Sequence, residues 1–112
     1  MKKIEAILKP AKVGDVCAAI EKAGHSGLMI SEIEGNGKQQ GIEQQVRGKT
    51  YKVKLMTKSR IELVVKDSEV KKMIDVIQSA AYTGQVGDGK IFVYPVEDAV
   101  RIRTKEQGDA AI

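Results

Sequence analysis

The feature that most constrains this fold is an internal repeat. Residues 3–9 (KIEAILK) align with residues 60–66 (RIELVVK), which lie 57 residues later in a chain of 112 residues. The same offset pairs the turn at residues 25–27 with the turn at residues 82–84. Strand, helix and turn positions recur in the same order, so the sequence predicts two copies of one β-α-β unit.

Each copy carries its own helix and strand signals. Residues 4–8 and 61–65 are short, apolar and β-branched, which is typical of strands, and the second strands are predicted at residues 28–33 and 90–94. Pro10 suits the first turn of a helix and Gly24 its end. Asp67 and Ser68 are predicted to cap the second helix. The predicted helical core stripes are Val13, Val16, Cys17, Ile20 and Ala23, and then Val70, Met73, Ile74 and Ile77.

Together these elements predict a single α+β domain over residues 1–112. The order β-α-β-β-α-β is the ferredoxin-like or split βαβ arrangement. Residues 96–103 could add one more short strand near the C-terminus. The length allows one modest core, which oligomerisation would help to stabilise.

Composition excludes several classes of protein. The formal charge is +4, but charges of both signs are mixed along the chain, and aromatic residues make up only 4%. Neither a basic nucleic-acid tail nor a base-stacking surface is indicated. Cys17 is the only cysteine and sits among apolar residues, so we expect a core residue in a reducing compartment. No signal peptide or membrane-spanning run is visible, and a cytoplasmic location is the expectation.

A glycine-rich segment precedes the last predicted strand. Residues 83–90 (TGQVGDGK) hold three glycines, one Asp and one Lys. Glycines let backbone N–H groups turn into a concavity that binds anions, phosphate above all. The alternative is a tight turn ahead of an edge strand. The segment lacks the Walker A pattern and no helix follows it, so ATP hydrolysis is not indicated.

The two repeats are joined by an unusually long connection. Residues 35–55 are rich in Gly and Gln and poor in apolar residues. A hairpin needs only two to five residues at this point. A loop of about twenty residues in a compact domain is usually functional or disordered, although a tolerated insertion is the alternative.

Basic residues collect just outside the predicted strands, at Lys38, Lys58, Lys90, Arg101 and Arg103. In an extended segment Arg101 and Arg103 would point the same way, which suits a multiply charged anion such as a polyphosphate. The alternative is a charged edge strand that resists aggregation.

Signals of catalysis are few. His25 is the only histidine, and no nucleophile–base set, paired-carboxylate motif or zinc spacing is present. Two other classes on this fold stay open. An acylphosphatase would need an Arg and an Asn near the first loop, where residues 11–14 (AKVG) offer neither. A nucleic-acid-binding module would need aromatic residues on its strands, which are nearly absent.

The chain resembles, from residue 1 to residue 112, the PII nitrogen-regulatory signal-transduction family. Residues 83–84 with 87–93 look like its B-loop (about 82–90), and residues 101–104 look like its C-loop (about 101–112). The pattern from Gly35 through Gly41 looks like the base of its T-loop (about 37–55). Lys58 also matches.

The resemblance implies a homotrimer with nucleotide sites in the clefts between neighbours, where ATP and ADP compete. Mg²⁺ would join ATP and 2-oxoglutarate there, with Gln39 as the protein's ligand to the metal. The implied nucleotide-binding residues are Ile7, Met29, Gly35, Gly37, Lys38, Gln39, Val64, Gly87, Asp88, Gly89, Lys90, Arg101 and Arg103. The implied 2-oxoglutarate-binding residues are Gly37, Gln39, Gln40, Gly41, Met56 and Lys58.

The implied function is signalling rather than catalysis. The T-loop would regulate a partner, foremost an Amt-type ammonium transporter, which would make the protein peripheral at the membrane when bound. The alternative is a regulator of a nitrogen-assimilation enzyme or nitrogenase that responds to adenylates only. Arg47, Lys49 and Tyr51 would contact the partner, and Tyr51 could be uridylylated or adenylylated.

The sequence departs from the family's common pattern at several implied site residues. Lys49 stands where the family often has Ala or Ser, so the serine phosphorylation of some members is excluded there. With Lys52 and Lys54 it makes the T-loop more basic than usual. Lys38 replaces a common Arg and would lose its bidentate phosphate contact. Met29 replaces a common Thr beside the adenine, and Gln40 a common Lys.

Overall fold

The chain folds into a two-layer α/β sandwich with a separate strand pair. The computed structural model describes the backbone of residues 1–36, 42–46, 49–53 and 55–112, and the side chains of residues 1–34 and 56–112. Its elements are β1 (Lys2–Leu8), α1 (Val13–Lys22), β2 (Leu28–Asn36), β3 (Ile42–Val46), β4 (Lys49–Val53), β5 (Leu55–Val65), α2 (Val70–Ala81) and β6 (Lys90–Pro95).

The main sheet has the strand order β2-β5-β1-β6, and every neighbouring pair is antiparallel. In β1, Ile4 lies opposite Leu63 on one side and Val93 on the other. Strands β1 and β2 run in the same direction with β5 between them, which is the split βαβ arrangement. The predicted ferredoxin-like fold is confirmed.

The internal repeat is visible in the structure. Each copy begins with a strand, continues through a 3-10 turn and a helix, and ends in a second strand. The 3-10 turns at Pro10–Lys12 and Asp67–Glu69 are separated by the same 57 positions as the strands. The two central strands, β1 and β5, are therefore equivalent elements of the two copies.

Both helices cover one face of the sheet. Most of the predicted stripe residues are confirmed. Val16, Ile20, Met73 and Ile77 are fully buried, and Val13, Cys17, Ala23 and Val70 pack against this core. The prediction is wrong for Ile74, which is only half-buried and lines a cavity beside β6, whereas Val76 packs against the core. Alternate residues of the central strands face these helices, as the period of two in a strand requires. The buried strand residues are Ile4, Ala6, Leu8, Ile61, Leu63 and Val65.

Gly24 ends α1 as predicted. Its φ is +96°, its N–H donates to the Glu21 carbonyl at 2.9 Å, and the His25 N–H donates to the Ile20 carbonyl at 3.1 Å. This pair of bonds is a Schellman motif, which satisfies the last carbonyls of the helix.

The capping prediction for α2 is wrong. Neither Asp67 nor Ser68 makes a side-chain cap hydrogen bond, because these residues form the 3-10 turn ahead of the helix. The Asp67 carboxylate instead accepts a hydrogen bond from the α-amino group of Met1 at 2.8 Å. That ammonium group lowers the pKa of Asp67.

The long connection between the repeats contains regular structure. β2 runs to Asn36, β5 begins at Leu55, and β3 and β4 pair antiparallel between them. The expected additional strand near the C-terminus needs correction. Residues 96–103 form no strand. They contribute one isolated bridge, between Val100 and Gln107, because the chain turns back at residues 102–104.

The face of the sheet away from the helices is uncovered in the single chain. Its centre is an ion-pair network in which Glu62 contacts Arg60 at 2.9 Å and Lys3 at 3.5 Å. Met29, which is 64% exposed, and Phe92 flank this network. No helix in the described part of the chain is long and apolar enough to cross a membrane.

Candidate functional site

The glycine-rich segment forms a compact loop between α2 and β6, organised by one carboxylate. Asp88 accepts hydrogen bonds from the backbone N–H groups of Thr83 and Gly84, each at 2.9 Å, and from the Thr83 hydroxyl. These donors, led by the hydroxyl, hold the pKa of Asp88 well below its usual range. The loop is therefore a fixed structure whose shape depends on an ionised Asp88.

Gly89 seats this loop on the end of β1. Its φ is +101°, and a Cβ built on it would lie 1.7 Å from the Ile7 carbonyl oxygen. No side chain fits at that distance from a backbone atom. Glycine is thus required here for a close approach, as phosphate-binding loops require.

Lysine ammonium groups surround the loop. Lys58 donates to the Gly87 carbonyl at 2.7 Å, and Lys9 contacts the Asp88 carboxylate at 3.3 Å and the Thr83 hydroxyl at 3.2 Å. Burial, and next the charge of Lys9, lower the pKa of Lys58, which Asp88 partly offsets. With Lys90 at the start of β6, the cations around these glycines suit an anionic ligand.

A second group of predicted residues lies elsewhere. Met29, Val64 and Arg101 line one cavity of about 740 Å³, which the C-terminal Ile112 also borders. The Arg101 guanidinium is held by the Glu106 carboxylate at 3.0 Å, and Thr104 donates to the same carboxylate oxygen at 2.7 Å. An arginine is thus presented on a braced turn beside an apolar wall.

The two groups lie toward opposite ends of the sheet. Ile7 pairs with Arg60 and with Lys90, whereas Val64 pairs with Lys3. Lys58 and Val64 are six residues apart on β5, which corresponds to roughly 20 Å at about 3.3 Å per residue. We call the first group the loop half (Ile7, Lys9, Lys58 and residues 83–90) and the second the C-terminal half (Met29, Val64, Arg101 and Arg103).

The structure alters two expectations about the basic residues. Lys58 lies inside β5, not beyond a strand end, and the strand orients it toward the loop. Arg101 and Arg103 do not alternate on an extended segment, because Arg101 donates its N–H to the Glu106 carbonyl at 2.9 Å and a turn follows.

The remaining predicted residues belong to the long connection and its ends. Gly35 in β2 lies opposite Met56 in β5, which brings two predicted site positions together. Lys49 and Tyr51 lie on β4, where Tyr51 pairs with Gln44. Gly37, Lys38, Gln39, Gln40, Gly41 and Arg47 lie outside the described residues.

The sequence reasoning did not single out Lys9 as a site residue. Its ammonium group contacts both Asp88 and Thr83, so it belongs to the loop half. The repeat pairs Lys9 with Lys66, and both follow a strand. A search for cations at strand ends would have found it, as it found Lys90.

The described side chains contain no group of three or more His, Cys, Asp or Glu residues that could hold a metal ion. Gln39, the metal ligand implied by the resemblance, lies outside the described residues.

Comparison with known proteins identifies the family. The sequence profile of the family described as "Nitrogen regulatory protein P-II" matches residues 1–106. The chain belongs to this P-II family. Its members are signal-transduction regulators that act on partner proteins, and they are not enzymes. The acylphosphatase alternative is therefore excluded.

Several P-II relatives match over the whole chain. The nitrogen regulatory proteins P-II of Rhodospirillum rubrum and Azospirillum brasilense are 49% and 50% identical over 112 residues, covering 100% of both chains. The P-II 2 protein of Methanothermobacter thermautotrophicus is 44% identical over 100% of this chain and 97% of its own. The solved structure of Arabidopsis thaliana PII bound to citrate matches with a TM-score of 0.82 at 37% identity, covering 99% of this chain and 91% of that chain.

Proposed function

We propose that this P-II chain binds ATP or ADP, and Mg-ATP with 2-oxoglutarate, in clefts between identical subunits. Its T-loop (about 37–55) then reports the ligand state to a partner. The observation that carries the proposal is the division of the implied nucleotide residues into two halves about 20 Å apart on one sheet. One chain supplies two half-sites rather than one site.

The division also favours a ring of subunits. If the loop half of one copy faces the C-terminal half of the next, the interface joins two different surfaces. Such heterologous interfaces form closed rings or open filaments, whereas a two-fold dimer would place like against like. The uncovered sheet face, with exposed Met29 and Phe92, offers surface for this association. A homotrimer is the closed ring that we propose.

The loop half supplies phosphate contacts. Residues 87–90 offer backbone N–H groups around Gly89 and the ammonium group of Lys90, which suit the phosphates of either ATP or ADP. Asp88 is negatively charged and already holds Thr83 and Gly84. It therefore acts on a phosphate by positioning the loop, not by direct contact.

The C-terminal half supplies the other side of the cleft. Met29 and Val64 of this half would border the adenine with apolar surface. They would face Ile7 and Gly35 of the copy that supplies the loop half. Arg101 and Arg103 reach the phosphates from this side, where arginine gives bidentate contacts. The Glu106 carboxylate contacts the Arg101 guanidinium at 3.0 Å, and an anion of higher charge would compete for this arginine.

A 2-oxo dicarboxylate fits beside the loop half. Lys58, with Lys9 close enough to lower its pKa, would pair with one carboxylate. Backbone groups of residues 37–41 and the Met56 position would enclose the rest. Gln39 would hold a Mg²⁺ ion on the protein side, and the ion would supply positive charge that neutralises the phosphates and the 2-oxo acid. The binding of citrate by Arabidopsis thaliana PII supports a polycarboxylate ligand in this family.

The strand pair in the long connection would present the partner contacts. Lys49 and Tyr51 lie on β4, and Arg47 is the residue that follows Val46, the last residue of β3, in the sequence. Effector binding at residues 37–41 would alter this segment, and an Amt-type ammonium transporter is the first candidate partner. The protein would then be cytoplasmic and peripheral at the membrane when bound.

A second candidate partner follows from charge. Lys49, Lys52 and Lys54 make this segment basic. An acidic surface on a nitrogen-assimilation enzyme or on nitrogenase would be complementary. Co-purification from nitrogen-limited and nitrogen-replete cells distinguishes these partners, and mass spectrometry of the same samples reports nucleotidylation of Tyr51.

Calorimetric titration of Mg-ATP with and without 2-oxoglutarate tests the ligands. We expect 2-oxoglutarate to bind only with Mg-ATP, and Lys58→Ala to abolish it while ATP still binds. The control is Lys71→Ala, an exposed lysine of α2. Adenylate binding without any 2-oxoglutarate binding would reduce the proposal to an adenylate sensor. Absence of all nucleotide binding would refute it.

A further inference from the structure

We propose that Ile102 of one copy docks into an apolar crevice beside the glycine loop of the next copy, so that the C-loop latches neighbouring subunits together. This inference rests on the proposed cleft between subunits. It adds an apolar contact between copies, and the strength of that contact depends on the nucleotide.

The crevice lies between α2 and β6. Its volume is about 340 Å³, and Leu8, Ile74, Ile77, Ala81 and Ile91 give it an apolar lining. Tyr82, which is 67% exposed, also lines it. Because β6 is an edge strand, no other described strand lies beyond it in the sheet. An apolar side chain from outside fits its chemistry.

Ile102 is the matching side chain. It is 96% exposed, the most among the large apolar residues whose exposure is described. A single exposed isoleucine is ordinary on a protein surface. This one is held on a braced turn, since Lys105 donates its N–H to the Arg101 carbonyl at 2.7 Å and Thr104 donates to Glu106. Little conformational entropy remains to be lost when it docks.

The occupant is a second copy because the two surfaces adjoin the two halves of the proposed site. Ile7, Asp88, Gly89 and Lys90 line the crevice and also belong to the loop half. Ile102 is the neighbour of Arg101, with Cα atoms about 3.8 Å apart. A polyphosphate that bridges Lys90 of one copy and Arg101 of the next would therefore bring the turn that carries Ile102 up to the loop that borders the crevice.

Charge makes this latch depend on the nucleotide. Lys90 of one copy and Arg101 of the next both carry positive charge, which Glu106 offsets in part at Arg101. A bound polyphosphate attracts both cations. Docking of Ile102 is then stronger with ATP than without it.

Thiol cross-linking tests the contact directly. In a Cys17→Ser background, a chain carrying Ile102→Cys and Ala81→Cys is treated with a short bis-thiol reagent, with and without Mg-ATP. We expect covalent dimers and trimers, formed faster with ATP. The control pair is Ile102→Cys with Ala18→Cys, because Ala18 is exposed on α1, outside the crevice lining. This control pair should give no cross-linked dimers or trimers.

A charge placed at the latch provides a second readout. Ile102→Asp should weaken assembly in a sedimentation dilution series roughly tenfold or more, since burial of an isoleucine side chain is lost. Val100→Asp, at a position 55% exposed in the same segment, should not. The proposed contact is wrong, and the proposed function stands, if three results occur together. Wild type assembles and binds ATP, Ile102→Asp assembles equally well, and the cysteine pair gives no cross-linked dimers or trimers. If wild type neither assembles nor binds ATP, both fail.

Discussion

Replacement of Gly89 by alanine tests how the glycine-rich loop (residues 83–90) is seated on the end of β1. The new Cβ would lie 1.7 Å from the Ile7 carbonyl oxygen, 2.7 Å from the Ile7 carbonyl carbon and 3.1 Å from the Leu8 Cα. These are backbone atoms of a central strand, which cannot rotate away as a side chain can. The loop itself must therefore withdraw by about 1 Å or more before the contact is tolerable.

The expected loss of stability in Gly89→Ala has two parts. The φ of +101° at Gly89 would be strained with any side chain, at a cost of about 1–2 kcal/mol. Overpacking adds about 1–3 kcal/mol. The sum of about 2–5 kcal/mol corresponds to a fall in Tm of roughly 8–20 °C for a domain of this size. Where the loop lifts locally instead, Tm falls less and the phosphate contacts are lost.

Two glycines provide matched controls. Gly24 has a φ of +96° but open space around its Cβ position, so Gly24→Ala carries the strain without the clash. Gly14 in α1 has neither a positive φ nor a clash at its Cβ position, and Gly14→Ala should retain the wild-type affinity for ATP. Calorimetry should show ATP binding at least roughly tenfold weaker in Gly89→Ala, since about 1.4 kcal/mol is a factor of ten. Equal Tm values for Gly89→Ala and Gly24→Ala, with ATP affinity unchanged, would refute the close approach.

Three further outcomes follow from the fold and the loop. Asp88→Asn should lower Tm at neutral pH. Because the pKa of Asp88 is depressed in the folded state, its contribution to stability requires the ionised carboxylate, and the Tm difference from wild type should shrink as pH falls below about 4. A Tm difference that persists at low pH would contradict this. Met73→Ala, at a fully buried site, should cost about 2–5 kcal/mol in urea unfolding, with exposed Lys71→Ala near zero as the control. Burial raises the pKa of Cys17, so its reaction with a thiol reagent at pH 8 should be slower than that of a free thiol and should accelerate on unfolding; rapid reaction of the folded protein would be inconsistent with its packing.

The fold was accessible to sequence reasoning because its information is periodic and repeated. The 57-residue offset predicted both β-α-β units, and the apolar stripes predicted the buried faces of α1 and α2. The strand ends could not be predicted in the same way. β2 and β5 extend beyond their apolar segments through Gly35 and Met56, because they pair with each other and not because of their own composition.

The site was only partly accessible for a similar reason. Glycine spacing predicts a tight loop, but it does not show that Asp88 turns inward to Thr83 or that Lys9 joins it. Those contacts join residues 74–79 positions apart or depend on the loop's own turn. The braced turn at Arg101 depends on the Glu106 side chain, which an alternation rule for strands ignores. Motifs locate the site residues, whereas tertiary contacts decide their roles.

The central claim, that each nucleotide site is shared by two copies, is tested most directly by subunit complementation. Lys90→Ala removes a cation from the loop half, and Arg101→Ala removes one from the C-terminal half. Assemblies of either variant alone should bind ATP poorly. Co-assembled mixed trimers should each recover one complete site, which is about one third of wild-type stoichiometry in a calorimetric titration, because the intact halves meet on different chains. Mixed assemblies that bind no more ATP than the single variants would contradict the claim.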